Sequence, residues 1–298
     1  MLAWDVMRTD PAYRERLRAE GLDSVARVLG RVEGRVAAWS RSSETLYVPG
    51  EGVLPGLFVK RYYFPRWKSR IRGALRGTFL GLHRGHAEYL ALRDMRWTGV
   101  PAIRPLAYGV RLELGFVAAC VLITEEVPGA VNLTTFAQQV ADGRGRLSRA
   151  ARGQMIRALA ERVAEMHEAG ISHGNLYWRN ILVRPTPDGS YEYFFLDAQP
   201  LDLWERVRTR GEWWVRELAQ LLVSALPFTN RADRLRFVKH YLCDRELSPA
   251  LRRDLRRCEV QARAGRRHEQ HRIRMNRLFD GWREALVREH AADAGQRQ

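Results

Sequence analysis

Two short polar segments in the second half of the chain carry the residues best suited to chemistry. Residues 172–180, Ser-His-Gly-Asn-Leu-Tyr-Trp-Arg-Asn, stand directly before the apolar run 181–183. Asp197 directly follows the hydrophobic stretch 193–196 and lies seventeen residues after Asn180. Carboxylate and amide oxygens are the ligands that a hard divalent cation prefers. Both Asn180 and Asp197 therefore carry oxygen atoms suited to such a cation.

The first segment resembles the catalytic loop of eukaryotic-like kinases, His-x-Asp-x-x-x-x-Asn. His173 and Asn180 stand in their places, and Asn175 stands where the aspartate belongs. In these kinases the acid of an Asp-Phe-Gly motif follows the loop, and Asp197 takes that place here. The resemblance implies that Asn180 and Asp197 hold Mg²⁺ against the phosphates of ATP. It implies for His173 a structural role, bracing the loop without transferring a proton.

The pattern around these residues predicts a strand-rich first part and a helical second part. Alternating and β-branched runs favour strands, and apolar residues at helical spacing favour helices. The predicted strands are 35–40, 45–48, 57–63, 106–112 and 116–124. The predicted helices are 84–97, 133–140, 151–168, 212–225, 231–242, 249–263 and 267–289. A hairpin is expected to turn at 187–189, Pro-Asp-Gly.

These elements predict an α+β fold with the bilobal plan of protein kinases. Residues 1–30 are expected to form an N-terminal helical extension, with a polar helical run at 11–29 that precedes the fold proper. Residues 31–126 are expected to form a small β-rich N-lobe, and 127–298 a larger helical C-lobe. Glu-Glu-Val-Pro-Gly at 125–129 breaks the pattern and is interpreted as the hinge.

Several separate segments resemble the lipopolysaccharide kinase (Kdo/WaaP-type) family, bacterial members of the protein-kinase-like superfamily. The resemblance runs from about residue 37 to residue 242. It rests on Phe-Val-Lys-Arg-Tyr-Tyr at 58–63, Gly-Val-Pro at 99–101, Ile-Thr-Glu-Glu at 123–126 and the loop at 173–180. Family members have a protein-kinase-like fold and phosphorylate sugars of the lipopolysaccharide inner core. Elements with separate tasks fall in the expected order, which argues against coincidence.

The resemblance implies a role for each matching residue. Lys60, in mid-strand and one of only three lysines, would neutralise the α and β phosphates, a task that suits a compact ammonium. Glu88 would pair with Lys60 and orient it; the alternative is a solvated charge on a helix face. Glu125 and Val127 would offer hinge backbone groups to the adenine. Arg179 would reach the transferred phosphoryl group.

Departures from the family pattern bear on activity. Asn175 cannot take a proton as a carboxylate does, although its amide oxygen can accept a hydrogen bond from an acceptor hydroxyl. Loss of the base, worth about 10²–10⁴-fold, predicts a slow enzyme, because phosphoryl transfer depends mostly on positioning and charge. The glycine-rich phosphate loop is missing, and Ser42 and Ser43 stand in its place as phosphate-binding candidates. Glu217 replaces the aspartate that normally anchors the catalytic loop.

A basic insertion, residues 64–82, separates Lys60 from Glu88. It contains five cations and no acid: Arg66, Lys68, Arg70, Arg72 and Arg76. Apolar residues recur every four positions, at Trp67, Ile71, Leu75 and Phe79. This pattern favours a basic amphipathic segment that docks on an anionic membrane surface. The alternative is that the stripe packs against the N-lobe.

Composition limits the class of protein and its surroundings. The 298 residues carry a net charge of +16, from which we infer either anionic partners or a bias toward arginine codons. Three cysteines without paired spacing fit a reducing cytosol. No apolar run approaches the ~20 residues that span a bilayer, so a cytoplasmic, at most peripheral, location on the inner membrane is expected. The arginines of 252–277 alternate with acids, which predicts a solvated helix and no nucleic-acid partner.

These observations predict ATP- and Mg²⁺-dependent phosphorylation of a sugar hydroxyl of the lipopolysaccharide core, with a Kdo- or heptose-type acceptor. In this interpretation Asn175 orients the acceptor. Two alternatives stay open. The chain could be an inactive pseudokinase that binds nucleotide, glycolipid or protein. It could also be a kinase of the same superfamily with another acceptor, because a fold alone does not select the acceptor.

Overall fold

The computed structural model describes residues 3–40, 43–68, 70–71, 83–145, 147–199, 212–243 and 246–295, with the backbone alone at Ser40 and 276–295. The described chain has an α+β fold in which an antiparallel sheet is followed by a mainly helical part. Of the helices formed by these residues, none combines the length and the apolar character that crossing a membrane requires.

A six-stranded antiparallel sheet forms the first part, with the strand order β1-β5-β6-β4-β3-β2. Its strands are β1 (Ala3–Thr9), β2 (Arg35–Ser40), β3 (Ser43–Val48), β4 (Leu57–Tyr63), β5 (Pro105–Glu113) and β6 (Phe116–Glu125). Strand β4 has the predicted bounds and lies in the interior of the sheet. Its Lys60 pairs with Thr45 on one side and Leu122 on the other. Hydrogen-bonded neighbours on both sides therefore fix the backbone that carries Lys60.

Residues 3–30 belong to this sheet and its core, so the prediction of a helical extension outside the fold is wrong. Strand β1 pairs with β5 along its whole length, from Ala3 opposite Glu113 to Thr9 opposite Ala107. A 3-10 turn and two short helices follow: Pro11–Tyr13, α1 (Arg14–Ala19) and α2 (Val25–Gly30). Their buried side chains pack with the apolar residues of the sheet: Leu17, Leu22, Val25 and Val28. Strand β1 is mostly exposed, so its sequence lacks apolar alternation, and pairing with β5 makes it a strand.

Helix α3 (Arg84–Trp97) has the predicted bounds and packs against β5 and β6. It begins after His83, whose side chain accepts the backbone N–H of His86 at 3.3 Å. It ends before Gly99, which adopts a φ of 82°, the left-handed conformation that glycine tolerates. Its buried residues include Glu88, Leu92 and Met95. The helix therefore carries one carboxylate into the interior, toward β4.

The second part combines a small sheet with helices. The sheet has the order β7-β8-β9 and consists of β7 (Val131–Asn132), β8 (Ile181–Pro185) and β9 (Tyr191–Phe195). The helices are α4 (Leu133–Ala141), α5 (Arg149–Glu168), α6 (Trp213–Ala225), α7 (Arg231–Tyr241) and α8 (Pro249–Gly295). Strands β8 and β9 form the predicted hairpin. The polar loop 172–180 directly precedes β8. Apart from α8, these helices lie within two residues of their predicted bounds.

One long helix, α8, replaces the two helices predicted at 249–263 and 267–289. Gly265 lies inside it, although glycine costs about 1 kcal/mol relative to alanine in a helix. A Cβ at Gly265 would lie 3.6 Å from Val223 of α6, and the buried Cys258 and Ala262 lie on the same helix. Packing of α8 along α6 therefore outweighs the local helix-breaking tendency.

Backbone contacts join the two parts next to the polar loop. The N–H of Ile103 donates to the carbonyl of Phe195 at 3.0 Å, and the N–H of Phe195 donates to that of Pro101 at 3.0 Å. One apolar core continues across the junction, since Leu92 and Leu122 share it with Phe195. These contacts fix β9 relative to β6. They thereby determine where Asp197 lies relative to Lys60.

The described beginning of the basic insertion packs on the sheet. The Trp67 ring lies edge-on to Phe116, with centroids 5.5 Å apart. Arg70 forms an ion pair with Glu113 at 2.7 Å, and its guanidinium lies 5.0 Å from the Trp67 ring centroid. For this beginning, the contacts favour packing on the N-lobe over membrane docking. The rest of the predicted stripe, from residue 72 to 82, lies outside the described residues.

Candidate active site

Lys60 and Glu88 form an ion pair in the cleft. The ammonium Nζ lies 3.0 and 3.1 Å from the two carboxylate oxygens of Glu88, which is only 3% exposed. The hydroxyl of Tyr62, two residues along β4 from Lys60, donates to Glu88 at 2.6 Å. Alternate residues of a strand face the same side, so β4 presents Lys60 and Tyr62 together to α3. The glutamate is therefore held by two donors from one strand.

Asp197 reaches the same ammonium from the other part of the fold. Its Oδ1 lies 2.5 Å from Lys60 Nζ, although 137 residues separate them in sequence. Asp197 adopts a φ of 55°, a left-handed conformation that is uncommon outside glycine but enriched in aspartate and asparagine. It lies two residues after the end of β9, which Pro101 and Ile103 hold in place. Lys60 is therefore bracketed by two carboxylates.

The loop residues Asn175 and Asn180 complete the cluster. Asn175 Nδ2 donates to Asp197 Oδ2 at 2.7 Å, so Lys60 and Asn175 bind opposite oxygens of one carboxylate. Asn180 Nδ2 donates to the backbone carbonyl of Asn175 at 2.8 Å. The backbone carbonyl of Asn180 accepts the N–H of Leu196 at 3.1 Å. Lys60, Asn175, Asn180 and Asp197 thus converge on one cleft.

The charges in this cleft stabilise one another. Burial by itself disfavours the ammonium of Lys60, but the carboxylates of Glu88 and Asp197 outweigh it and raise the pKa of Lys60 well above its ordinary value. Burial also disfavours the carboxylate of Asp197, yet the nearby Lys60 ammonium holds the pKa of Asp197 below its ordinary value. Both groups are therefore charged at neutral pH.

Glu217 anchors the loop from α6, as its position in the sequence suggests. Its Oε1 accepts the hydroxyl of Ser172 at 2.5 Å and the N–H of Gly174 at 2.7 Å. Its Oε2 accepts the N–H of His173 at 3.2 Å and lies 3.1 Å from His167 Nε2. Burial disfavours the Glu217 carboxylate, but its hydrogen bonds with His167 and Ser172 nevertheless lower its pKa. A glutamate thus makes the contacts expected of an aspartate.

Gly174 is required by the backbone of this loop. Its φ of 71° lies in the left-handed region, and a Cβ there would clash with the carbonyl oxygen of Gln199. The N–H of Gln199 donates to the carbonyl of His173 at 2.7 Å. This close approach ties the segment after Asp197 to the loop that carries Asn175.

Arg179 is bound to the C-terminal helix, and its predicted contact with the transferred phosphoryl group stays a prediction. Its Nη1 lies 2.9 and 2.8 Å from the two oxygens of Glu269 on α8. Glu269 is 3% exposed and also accepts the hydroxyl of Ser224 at 3.2 Å. The guanidinium lies 4.0 Å from the centroid of the Tyr177 ring. A largely buried guanidinium needs an anionic partner, and α8 supplies one that is remote in sequence.

The hinge residues are partly committed to other bonds. The N–H of Glu125 donates to the carbonyl of Arg104 at 2.9 Å, so this group is not free for an adenine. The Glu125 carboxylate lies 3.4 Å from the guanidinium of Arg16. The carbonyl of Val127 accepts the N–H of Ala130 at 3.1 Å. Adenine binding by the remaining backbone groups of Glu125 and Val127 stays a prediction.

The two serine candidates for phosphate binding are placed only in part. Ser43 begins β3 and lies opposite Tyr62 of β4 in the sheet register. Ser42 lies outside the described residues. Ser43 therefore lies beside the strand that carries Lys60, and phosphate contact by either serine stays a prediction.

Asn180 and Asp197 carry oxygen atoms of the kind that a magnesium ion binds, and Lys60 and Asn175 engage both oxygens of Asp197 in this structure. The amide nitrogen of Asn180 is engaged by the carbonyl of Asn175, which leaves the amide oxygen for a cation. Within the described ranges, no three His, Cys, Asp or Glu side chains come together as metal ligands. A cation here would take two side-chain oxygens and keep its other positions for phosphate and water. Mg²⁺ favours this coordination.

Some residues of the site escaped the sequence prediction. Gln220 accepts the N–H of Leu176 at 2.8 Å and lies three residues after Glu217, on the same face of α6. Tyr62 lies two residues from Lys60. In both cases the spacing from a predicted residue is a usable signal. Glu269 has no such signal in the sequence, because it belongs to a charged helix and lies ninety residues from Arg179.

The site defines a phosphotransferase of the protein-kinase-like class. It combines a Lys–Glu pair, on a strand and a helix, with a catalytic-type loop and a carboxylate that follows a hairpin. The chain belongs to the lipopolysaccharide kinase (Kdo/WaaP) family, whose model matches residues 20–241. This membership confirms the family predicted from the sequence.

Individual relatives agree with this assignment. The chain is 29% identical to the lipopolysaccharide core heptose(I) kinase WaaP of Pseudomonas aeruginosa over 217 residues, 70% of this chain and 77% of that protein. It is 30% identical to the 3-deoxy-D-manno-octulosonic acid kinase of Pasteurella multocida over 166 residues, 55% of this chain and 62% of that protein.

A solved structure agrees with the fold. A structure described as WaaP in complex with acyl carrier protein matches with a TM-score of 0.59 and 22% identity, covering 90% of this chain and 99% of that one. At this identity the match establishes the fold alone. The predicted protein-kinase-like fold is thereby confirmed.

Proposed function

We propose that this protein transfers the γ-phosphate of ATP to a sugar hydroxyl of the lipopolysaccharide core, of the Kdo or heptose type. The observation that carries the proposal is the convergence of Lys60, Asn175, Asn180 and Asp197 on one cleft in a chain of this family. The names of the two relatives, a heptose kinase and a 3-deoxy-D-manno-octulosonic acid kinase, support the acceptor class. The reaction would take place on the cytoplasmic side of the inner membrane, where ATP is available.

Each residue of the cleft has a task in this proposal. Lys60, oriented by Glu88, binds the α and β phosphates as a point charge. Asp197 and Asn180 bind Mg²⁺, which neutralises charge on the phosphates when it is present. Glu217 holds the loop backbone, so that Asn175 and Asn180 keep their positions during transfer. Positioning and charge are what a loose phosphoryl-transfer transition state requires.

Asn175 orients the acceptor through its amide oxygen. Its amide nitrogen is engaged by Asp197, so the oxygen is the atom left to accept a hydrogen bond from the acceptor hydroxyl. The acceptor oxygen forms a bond to the γ-phosphorus while the bond from that phosphorus to the bridging oxygen of ADP breaks. Asn175 cannot take the hydroxyl proton, which passes to water or to a phosphate oxygen.

Mass spectrometry of core glycolipid from cells with and without this protein tests the proposal. We expect the glycolipid of cells that lack the protein to be missing one phosphate group on a core sugar. Purified protein with ATP and Mg²⁺ should restore that group to the isolated glycolipid. Identical core spectra from both kinds of cell, with no transfer in the purified system, would contradict the proposal.

A second candidate function, binding without catalysis, is favoured by one contact. Asn175 donates to Asp197 while Lys60 binds the other oxygen of the same carboxylate. A site that lacks the base and has this carboxylate fully engaged would suit a pseudokinase that binds a nucleotide or a partner. A single substitution separates the two functions.

Asn175→Asp is expected to raise the rate of phosphate transfer by at least about tenfold at saturating Mg²⁺, because general-base assistance is worth about 10²–10⁴-fold. Saturating Mg²⁺ is needed because two adjacent carboxylates repel each other unless a cation lies between them. The rate is measured as ADP release in the presence of the acceptor glycolipid.

Asn132→Asp is a matched control for this substitution. Its side chain caps α4 by accepting the N–H of Thr135 at 2.8 Å, a task that aspartate performs equally well. The control makes the same change of charge and should leave the rate unchanged. If Asn175→Asp gives no gain, and nucleotide with Mg²⁺ gives no thermal shift in the wild type, the binding function stands instead.

A further inference from the structure

Arg84, the first residue of α3, is a cation of the cleft without an assigned task. Its guanidinium carbon lies 4.7 Å from the centroid of the Tyr62 ring, and Lys60 Nζ lies 5.4 Å from the same centroid. The two cations are therefore no farther apart than the sum of these distances. Two cations this close can reach neighbouring phosphates of one polyphosphate chain.

Among the described residues, Arg84 differs from its neighbours in having no anionic partner. Arg61 pairs with Glu44 at 3.2 Å and Arg70 with Glu113 at 2.7 Å, while Lys60 has two carboxylates. In the part of the chain that the structure describes, no carboxylate forms an ion pair with the exposed Arg84. The guanidinium of this exposed residue lies over the Tyr62 ring, which Lys60 also approaches, so Arg84 is both accessible and next to Lys60.

The sheet register relates Arg84 to the place where protein kinases have a phosphate-binding loop, which this chain lacks. Protein kinases cover the phosphates with a glycine-rich loop between their first strands. The corresponding turn, between β2 and β3, reads Ser-Arg-Ser-Ser at 40–43 and contains no glycine. Tyr62, the ring beneath Arg84, pairs with Ser43 at the end of this turn. Arg84 therefore approaches the region that the absent loop would cover.

We propose that Arg84 binds phosphate oxygens in the cleft beside Lys60 and supplies the anion contact that the missing glycine-rich loop does not. Guanidinium presents a planar set of donors that can bind two phosphate oxygens at once. The inference rests on the proposed function for the identity of the ligand, a nucleotide triphosphate. A phosphate group already on the acceptor would offer the same oxygens, so the experiment has an arm for each source.

The first arm measures binding of ATP with Mg²⁺ and of inorganic tripolyphosphate by isothermal titration calorimetry, without acceptor. Arg84→Gln is expected to raise the Kd of both ligands by about tenfold or more, because a hydrogen bond to a charged group is lost. Arg84→Lys, which keeps the charge without the planar donors, should raise it less. Binding of AMP should change by less than about twofold, since it lacks the β and γ phosphates.

Arg93→Gln is the matched control. Arg93 lies on the same helix, is half exposed and forms an ion pair with Asp94 at 2.9 Å. The control removes the same charge from α3 away from the cleft, so every Kd should match the wild type. Unchanged melting temperatures of all three variants show that folding is preserved.

The second arm measures the KM for the acceptor glycolipid. Unchanged nucleotide binding with a raised acceptor KM assigns Arg84 to the acceptor phosphate. Unchanged values in both arms overturn the inference. If the protein binds polyphosphate in a manner that depends on Arg84 but transfers no phosphate, the inference is supported. Only the proposed function is then contradicted. Wild-type protein that binds neither ATP nor tripolyphosphate overturns both.

Discussion

Asp197→Asn is expected to lower the rate of phosphate transfer by about 10³-fold, because charge stabilisation by a bound metal is worth several kcal/mol of the barrier. The substitution removes the one carboxylate of the predicted Mg²⁺ site. It also removes an anion 2.5 Å from Lys60, so the ammonium loses one of its two partners. Steady-state ADP release measures the rate. Titration calorimetry of ATP with and without Mg²⁺ should show that the dependence on Mg²⁺ is lost.

Asp188→Asn is the control for this prediction. Asp188 lies in the exposed turn between β8 and β9, where its carboxylate accepts the N–H of Ser190 at 3.3 Å. The amide can keep that bond, and the turn is remote from Lys60 in the fold, so activity should stay within about twofold of the wild type. A loss of less than tenfold in Asp197→Asn would show that this carboxylate does not hold the metal.

Glu217→Ala is expected to destabilise the protein by about 3–5 kcal/mol, because it leaves buried donors without their shared acceptor. The donors come from Ser172, His173 and Gly174, which form the start of the catalytic-type loop. We expect transfer activity to fall as well, because the loop backbone carries Asn175 and Asn180. Urea unfolding followed by far-UV circular dichroism measures the change in the free energy of unfolding.

At acid pH the free energies of unfolding of the wild type and of Glu217→Ala should lie closer together than at neutral pH. The pKa of Glu217 in the folded protein lies below its ordinary value of 4.5. The stability that the Glu217 charge contributes is therefore fully present above the ordinary pKa of 4.5. It is lost as the pH falls through the lower pKa that Glu217 has in the folded protein. Free energies of unfolding at pH 7 and near pH 3.5 measure this effect, and a constant difference would argue against an ionised anchor.

Glu161→Ala serves as the surface control for Glu217→Ala. Glu161 pairs with Arg157 one turn away on α5, and both side chains are exposed. Exposed pairs contribute about 0–1 kcal/mol, so this variant should unfold almost as the wild type does. A loss of stability in Glu217→Ala no larger than in this control would mean that other contacts hold the loop.

Much of the fold could be predicted because its signals are local. Strand β4 and helix α3 have their predicted bounds, since each combines an unbroken pattern with clear end signals such as Gly99. Lys60 and Glu88 lie on these two elements, and the structure brings them together. The loop from Ser172 to Asn180 could be located for the same reason, because its residues are close together in sequence.

Other features depend on partners that no local pattern reveals. Strand β1 becomes a strand by pairing with β5, about a hundred residues away. Arg179 has the sequence position of a phosphoryl-binding residue, yet a carboxylate on α8 engages it. In each case a long-range hydrogen bond or ion pair outweighs the tendency of the local sequence.

By itself the sequence determined the family, the order of most elements and the identity of most cleft residues, because these depend on residue types at short spacings. Only the tertiary structure decided what those residues contact. The amide of Asn175 donates to the carboxylate of Asp197, and Arg84 lies over Tyr62 without an acid partner among the residues that the structure describes. These distances arise from the packing of β9 against the first sheet, and packing joins segments that sequence spacing does not relate.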